Sequence, residues 1–360
     1  MNNSPIKIAF VIDTLRIGGA ERMLFDLAHS LAKNEFSCRV YTIVERGELA
    51  AEFERVGIPV KNIGKQGKIS LGTIRGLREA WKEWQPNIVH THLFAGDTYG
   101  RLAAWCSGIP VITTEHNMNL DEVGMKKFIR TILSWCTDQI IAVSQAVKNY
   151  SVEVEHISSK KISVIYNGVN PVRFSPATQP LSHTIPVVGM TSRLHPNKGH
   201  EFFLQALAQL PPDSYRAVIV GSGTEQERIE KLSKTLGIQA QVRFAGLVQD
   251  VPRALREIDL VVLPTVQEGF GLSVVEAMMT GKTVVAFNTG SMQEVIEHGK
   301  TGWLIPPRDV NALSQAIRLF LSDANLRRRI GLAARESAVK HFSLNRMVEQ
   351  YATVYKRYAK

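Results

Sequence analysis

The stretch Leu260-Val261-Val262-Leu263-Pro264-Thr265-Val266-Gln267-Glu268-Gly269-Phe270-Gly271-Leu272-Ser273-Val274-Val275-Glu276-Ala277 decides how this chain folds. Its opening apolar run predicts a strand over 259–263, covered on both faces because no polar residue alternates into it. Two glycines follow, freeing backbone amides, and a helix then starts with Glu276 about one turn in. A strand that delivers glycines to a helix N-terminus is half of a parallel βαβ unit, whose ligands sit at the carboxyl ends of the strands. Glu268 and Glu276 can both face a ligand over that helix start. Ionised carboxylates there suit hydroxyl-rich molecules, because they accept hydrogen bonds from sugar and ribose hydroxyls. A capping acid plus a surface glutamate is the other reading of the same pair.

Outward from this unit the same rhythm covers the chain. Strands are expected at 186–191, 215–221, 241–244, 283–287 and 302–305 with helices between, and the last stretch reads as helical. The first half predicts strands at 6–12, 38–44, 58–61, 87–91, 110–114, 139–143 and 161–165. Its helices are expected at 20–33, 73–84, 95–106, 123–136 and 145–157. Between 167 and 186 the periodicity stops, and Pro171, Pro176, Pro180 and Pro186 mark a linker and hinge. With 360 residues the chain exceeds one usual core. The expectation is an α/β protein with two Rossmann-like, doubly wound domains facing each other across a cleft. Residues 1–170 form the first, residues 171–342 the second, and a final helix at 343–360 crosses back to the first.

Charge narrows the partners less than it first suggests. The net charge is +10, which favours an anionic ligand. Residues 327–360 alone hold nine Lys and Arg against two acids, so the excess gathers in the last helices. No binding motif or basic–aromatic surface accompanies it, and nucleic acid is excluded as a partner. Cys38, Cys106 and Cys136 are widely spaced, which argues against a disulfide framework or structural zinc and suits a reducing compartment. No apolar run reaches a membrane span, and the apolar start at 6–12 is too short for a signal peptide. A cytoplasmic protein is expected.

Further candidate residues stand at other strand ends. Gly18 and Gly19 precede a helix after the first strand and can bring amides to an anion, although a tight turn explains them equally well. His90 and His92 end an apolar strand, where residues i and i+2 share a face, and His116 ends a later one. Their spacing is not diagnostic of a metal site, and substrate or acid–base roles compete with plain structural ones. Arg193 and Lys198 on one strand–helix loop suit a diphosphate, the first as a planar fork and the second as a mobile point charge. Gly221 and Gly223 repeat the strand-then-glycine arrangement.

Together these pieces resemble the family 4 glycosyltransferases of the GT-B fold. The segment Glu268-Gly269-Phe270-Gly271 through Glu276 is similar to that family's paired-glutamate signature. Gly18-Gly19-Ala20-Glu21, Asn167-Gly168-Val169 and Arg193 to Lys198-Gly199 fit it in the same order. The resemblance implies retaining, metal-independent transfer from a UDP- or GDP-sugar, with no cofactor. Arg193 and Lys198 would neutralise the departing diphosphate, and Glu268 would bind hydroxyls of the donor sugar. Gly269, Phe270, Gly271 and Leu272 would lie beside it, Glu276 would hold the ribose, and His116 would contact the sugar. Gly18, Gly19, Asn167, Gly221 and Gly223 would complete the donor site. A glycan or lipid-linked acceptor is implied, in cell-surface polysaccharide or lipopolysaccharide synthesis, with His90 and His92 on its side.

The basic amphipathic segment 125–135 adds an expectation of contact with an anionic membrane surface, against the plainer reading of a sheet-covering helix. Among rivals, a nicotinamide oxidoreductase lacks its glycine fingerprint after the first strand. An epimerase or phosphorylase of the same fold stays open.

Overall fold

The computed structural model describes residues 4–32, 35–65, 67, 70–118, 124–178 and 183–359. Pro180 and position 123 of the helix expected at 123–136 lie outside the described residues. The chain divides into two compact units. Unit 1 takes Met1–Gly168 and Leu344–Lys360, and unit 2 takes Val169–Ser343.

Unit 1 alternates strand and helix: β1 (Ile6–Ile12), α1 (Gly19–Leu31), β2 (Phe36–Thr42), α2 (Ala50–Arg55), β3 (Val60–Asn62), α3 (Leu71–Trp84), β4 (Ile88–His92), α4 (Phe94–Trp105), β5 (Val111–Glu115), α5 (Met125–Trp135), β6 (Gln139–Ala142), α6 (Gln145–Glu153) and β7 (Ile162–Val164). The strands pair in parallel in the order β3-β2-β1-β4-β5-β6-β7. Side chains alternate across β1, so Ile8, Phe10 and Ile12 feed one core and Ala9 and Val11 the other. Serine side chains serve as caps where the sequence supplies them: Ser70 accepts from the Thr73 amide at 3.3 Å, and Ser144 from the Val147 amide at 3.1 Å.

Unit 2 contains β8 (Val187–Thr191), α7 (His200–Ala208), β9 (Arg216–Val220), α8 (Gln226–Thr235), β10 (Val242–Gly246), α9 (Val251–Arg256), β11 (Leu260–Leu263), α10 (Leu272–Met279), β12 (Thr283–Phe287), α11 (Met292–Val295), β13 (Trp303–Ile305), α12 (Val310–Ser322) and α13 (Ala324–Phe342). Its parallel sheet runs β10-β9-β8-β11-β12-β13. Each sheet therefore reverses its direction of growth beside its first strand, between β1 and β4 and between β8 and β11. Such switch points leave a crevice at the strands' carboxyl ends.

The last helix, α14 (Leu344–Tyr358), belongs to unit 1 and places Met347, Val348, Tyr351 and Tyr355 in the same core as β1. Part of the expected 167–186 linker is a built piece of unit 2. The Val169 amide donates to the Phe342 carbonyl at 2.9 Å, and Phe174 is buried. Arg335 on α13 donates to the carbonyls of Phe174 at 3.2 Å and Pro171 at 3.5 Å. The guanidinium fork satisfies acceptors that the proline-bearing turn cannot pair by itself.

Helix α13 lies close to the turn that follows α10 at Gly331, where an added Cβ would meet the Gly281 carbonyl oxygen at 2.2 Å. Gly331→Ala is expected to destabilise by about 1–3 kcal/mol, because backbone is on the other side of the contact. Chemical denaturation checks this; an unchanged midpoint would show that the helix and the turn can separate without cost.

Candidate functional site

In unit 2 three strand ends are drawn together by backbone contact. Gly221, at φ 136°, is required at the end of β9 because a Cβ there would meet the Ser192 carbonyl oxygen at 2.0 Å. Gly223 likewise lies against the Leu194 backbone, and Leu194 donates to the Ser222 carbonyl at 2.9 Å. These two glycines thus seat the loop that carries Arg193. Gly199 closes the same loop in the left-handed region, at φ 75°, with the Pro264 carbonyl where a Cβ would be.

Across to the end of β11, the Val266 amide donates to the Asn197 carbonyl at 3.0 Å, and Asn197 Nδ2 donates to Gln267 Oε1 at 3.3 Å. Lys198 Nζ then donates to Glu268 Oε2 at 2.7 Å, with 23% and 18% of the two side chains exposed. Arg193 is exposed and, among the described residues, pairs with no carboxylate. Gly269 and Phe270 are buried behind Glu268, and Gly271, at φ 82°, begins α10. Leu272 and the half-buried Glu276 lie on that helix. The structure therefore gathers Arg193, Lys198, Gly221, Gly223, Glu268 and the start of α10 at the unit 2 switch point, where cations and free helix amides favour an anion.

Unit 1 gathers the histidines. His90 has no exposed surface; its Nδ1 lies 2.6 Å from Tyr355 Oη and its Nε2 lies 2.8 Å from Thr114 Oγ1. His92 is equally buried, its ring 4.2 Å from that of His90, and its Nδ1 lies 3.0 Å from His116 Nε2. Helix α14 covers His90 through Tyr355, and His92 contacts the partly exposed His116. Of the three rings, His116 alone is partly exposed. Gly18 and Gly19 open α1 at the end of β1, while Asn167 is buried.

A buried ionic cluster behind these strands was not read from the sequence. Arg101 Nη2 lies 3.1 Å from Glu115 Oε1, and Arg130 Nη1 lies 2.6 Å from Glu115 Oε2. Asp97 pairs with Arg101 at 3.2 Å. The spacing Asp97–Arg101 on α4 and the position of Glu115 at the end of a fully buried strand were the available signals. Asp13, after β1, accepts from the Gly96 amide at 2.7 Å. Among the described residues no group of three or more His, Cys, Asp or Glu side chains could hold a metal ion. No described helix is long and apolar enough to cross a membrane.

Burial holds His90 and His92 well below the usual histidine value of 6.5 and takes His116 and His200 down to about 4. All four bind protons more readily in the unfolded chain, so stability falls as pH drops below about 6.5. Burial raises Asp13 to about 6, Glu155 to about 7 and Asp97 as well, and these acids oppose the trend. The four histidines outweigh them. The thermal midpoint is expected to be lower at pH 5 than at pH 7, and a higher one would contradict the neutral buried histidines.

Comparison with known proteins identifies the family. Residues 17–173 match Glycosyltransferase Family 4, and residues 173–337 match the family described as glycosyl transferases group 1. N-acetyl-alpha-D-glucosaminyl L-malate synthase of Bacillus anthracis is 30% identical over 69% of this chain and 68% of its own. An Escherichia coli enzyme, UDP-Gal:alpha-D-GlcNAc-diphosphoundecaprenol alpha-1,3-galactosyltransferase, is 26% identical over 76% of each chain. Anabaena Alr3699/HepE, solved in complex with UDP and glucose, superposes with a TM-score of 0.90 at 25% identity, covering 98% of this chain and all of that one. With two parallel α/β sheets, paired glutamates after β11 and these relatives, the chain belongs to the family 4 glycosyltransferases of the GT-B fold and is a transferase.

Proposed function

We propose that the protein transfers a sugar from a nucleotide-sugar donor, UDP-linked in preference to GDP-linked, to a glycan or lipid-linked acceptor, with retention at the anomeric carbon and without a metal. The observation that carries this reading is the joining of the β8 and β11 ends by Lys198 and Glu268 beside the exposed Arg193. As the bond from the anomeric carbon to the diphosphate breaks, its electron pair leaves with the phosphate. Arg193, Lys198 and the amides at the start of α10 stabilise that charge where it develops. Glu268 receives hydroxyls of the donor sugar, Glu276 those of the ribose, and His116 contacts the sugar. Gly18, Gly19 and Asn167 complete the donor contacts. The complex of Anabaena HepE with UDP and glucose supports the uridine donor.

The test is a nucleotide-sugar screen for thermal stabilisation, followed by nucleoside diphosphate release with candidate acceptors in the presence of chelator. Stabilisation by a UDP-sugar and an anomerically retained product are expected. Free isomerised sugar nucleotide without transfer would instead point to an epimerase.

The acceptor side favours a lipid-linked saccharide at the cytoplasmic membrane face, serving cell-surface polysaccharide synthesis. On α5, Phe128, Ile132 and Trp135 are 61%, 44% and 80% exposed and recur at helical spacing, with Lys126 exposed beside them. The acceptor class of the Escherichia coli relative supports this setting. Binding to vesicles containing anionic lipid is expected at low salt and should weaken at about 0.5 M salt, where charges are screened. Equal retention at both salts, or none at either, would remove the electrostatic membrane contact.

A further inference from the structure

The histidine pair in unit 1 carries information that the family resemblance does not. His92 has no exposed surface, its Nδ1 is 3.0 Å from His116 Nε2, and its own Nε2 is buried without a hydrogen-bond partner among the described residues. The rings of His90 and Phe10 lie 4.2 Å and 6.1 Å from it. Leu93, the next residue, holds φ 62° and ψ 173°, a backbone conformation that a branched side chain rarely adopts and that surrounding structure must impose. His92 is thus fixed in place.

Burial keeps both imidazoles neutral near pH 7, so each carries one proton, and one ring must donate to the other. If His116 donated, His92 would accept at Nδ1 and bear its proton on Nε2, leaving a buried N–H with no acceptor. If His92 donates from Nδ1, its Nε2 is only a bare lone pair beside aromatic rings. An orphaned buried N–H is the rarer and costlier of the two states. The second arrangement therefore prevails, and it obliges His116 to accept at Nε2 and carry its proton on Nδ1. That second nitrogen of His116 makes no hydrogen bond among the described residues.

We infer that His92 is a positioning residue that locks His116 as its Nδ1–H tautomer, so that His116 offers a hydrogen-bond donor to an oxygen of the bound donor sugar. The choice of sugar oxygen rests on the reading of His116 given under the proposed function; the tautomer rests on unit 1 alone. His90 plays no part in proton exchange, because Tyr355 and Thr114 occupy both of its nitrogens.

The tautomer is read directly from long-range proton–nitrogen correlations of the imidazole rings in nitrogen-15-labelled protein near pH 7.5, assigned with a His116→Gln variant. The expected spectrum has His116 protonated at Nδ1 and bare at Nε2, and His92 protonated at Nδ1. A His116 ring protonated at Nε2 overturns the inference whatever the activity. His92→Phe keeps a ring but removes the donor. It is expected to mix the His116 tautomers and lower kcat roughly fivefold to tenfold, about the size of one lost hydrogen bond. The KM for donor should change less. His92→Asn restores an N–H near the Nδ1 position and should recover most of the rate. Unaltered kcat in His92→Phe, or equal loss in both variants, overturns the positioning role. Full transfer by His116→Ala, with the wild-type tautomer as expected, would instead sink the sugar contact on which the functional half rests.

Discussion

Replacing Lys198 with alanine is expected to lower sugar transfer by about 10²-fold or more while leaving the fold intact. The ammonium stands 2.7 Å from Glu268, and both side chains keep some contact with solvent. Ion pairs that keep contact with solvent contribute about 1 kcal/mol to stability, so the variant should unfold within a few degrees of the wild type. Its loss would fall on the step in which the diphosphate departs, where a missing charge costs about 3 kcal/mol. Glu268→Ala should lose a similar factor, because the hydroxyl acceptor goes and Lys198 is left to wander. The double variant should lose far less than the product of the two, since the residues act as one unit. Nucleoside diphosphate release, measured beside thermal midpoints, separates these effects. Full activity in both single variants would falsify the assignment of this site.

The second large effect concerns stability. Glu115→Ala is expected to destabilise unit 1 by about 3–5 kcal/mol, because it leaves two buried guanidiniums without their shared carboxylate. Arg101 is fully buried, and the side chains of Arg130 and Glu115 are only 6% and 4% exposed. Burial alone would raise the Glu115 carboxyl, but Arg130 and Arg101 outweigh it and hold the group below the usual range. That stabilisation is present above the unfolded value and disappears as pH falls through the lowered folded one. Against a typical total of about 5–15 kcal/mol the loss is severe. Denaturant titration at pH 7 checks it; a shift under about 1 kcal/mol would mean that water reaches the cluster and solvates the arginines.

Contrast between these two sites explains what sequence could and could not reveal. β1 begins and ends at Ile6 and Ile12 as expected, and β12 spans Thr283–Phe287 as expected, because short, mostly apolar runs suit strands covered on both faces of a parallel sheet. The positions of Arg193, Lys198 and Glu268 were legible too, since each follows such a run. Their pairing across seventy residues was not, because it depends on Gly199 lying against Pro264. Arg130 was read as the basic edge of an amphipathic helix, yet it turns inward to Glu115. A charged side chain counts as solvated in any periodicity argument, and only the partner's place in three dimensions reverses that. The burial of His90 was not legible for the same reason: its cover, Tyr355, comes from an element 265 residues away.

Protein synthesis meets the discontinuity of unit 1 as a delay. The strands of unit 1 emerge first, but Tyr351 and Tyr355 arrive only after the whole of Val169–Ser343 has been made. At about 5–20 residues per second, that interval is roughly nine to thirty-five seconds. Until it ends, Phe10, Phe36 and His90 lack the rings that cover them, so the earlier unit completes its core later than the one inserted into it. A chain ended at Ser343 would therefore hold unit 2 complete and unit 1 open along one apolar face.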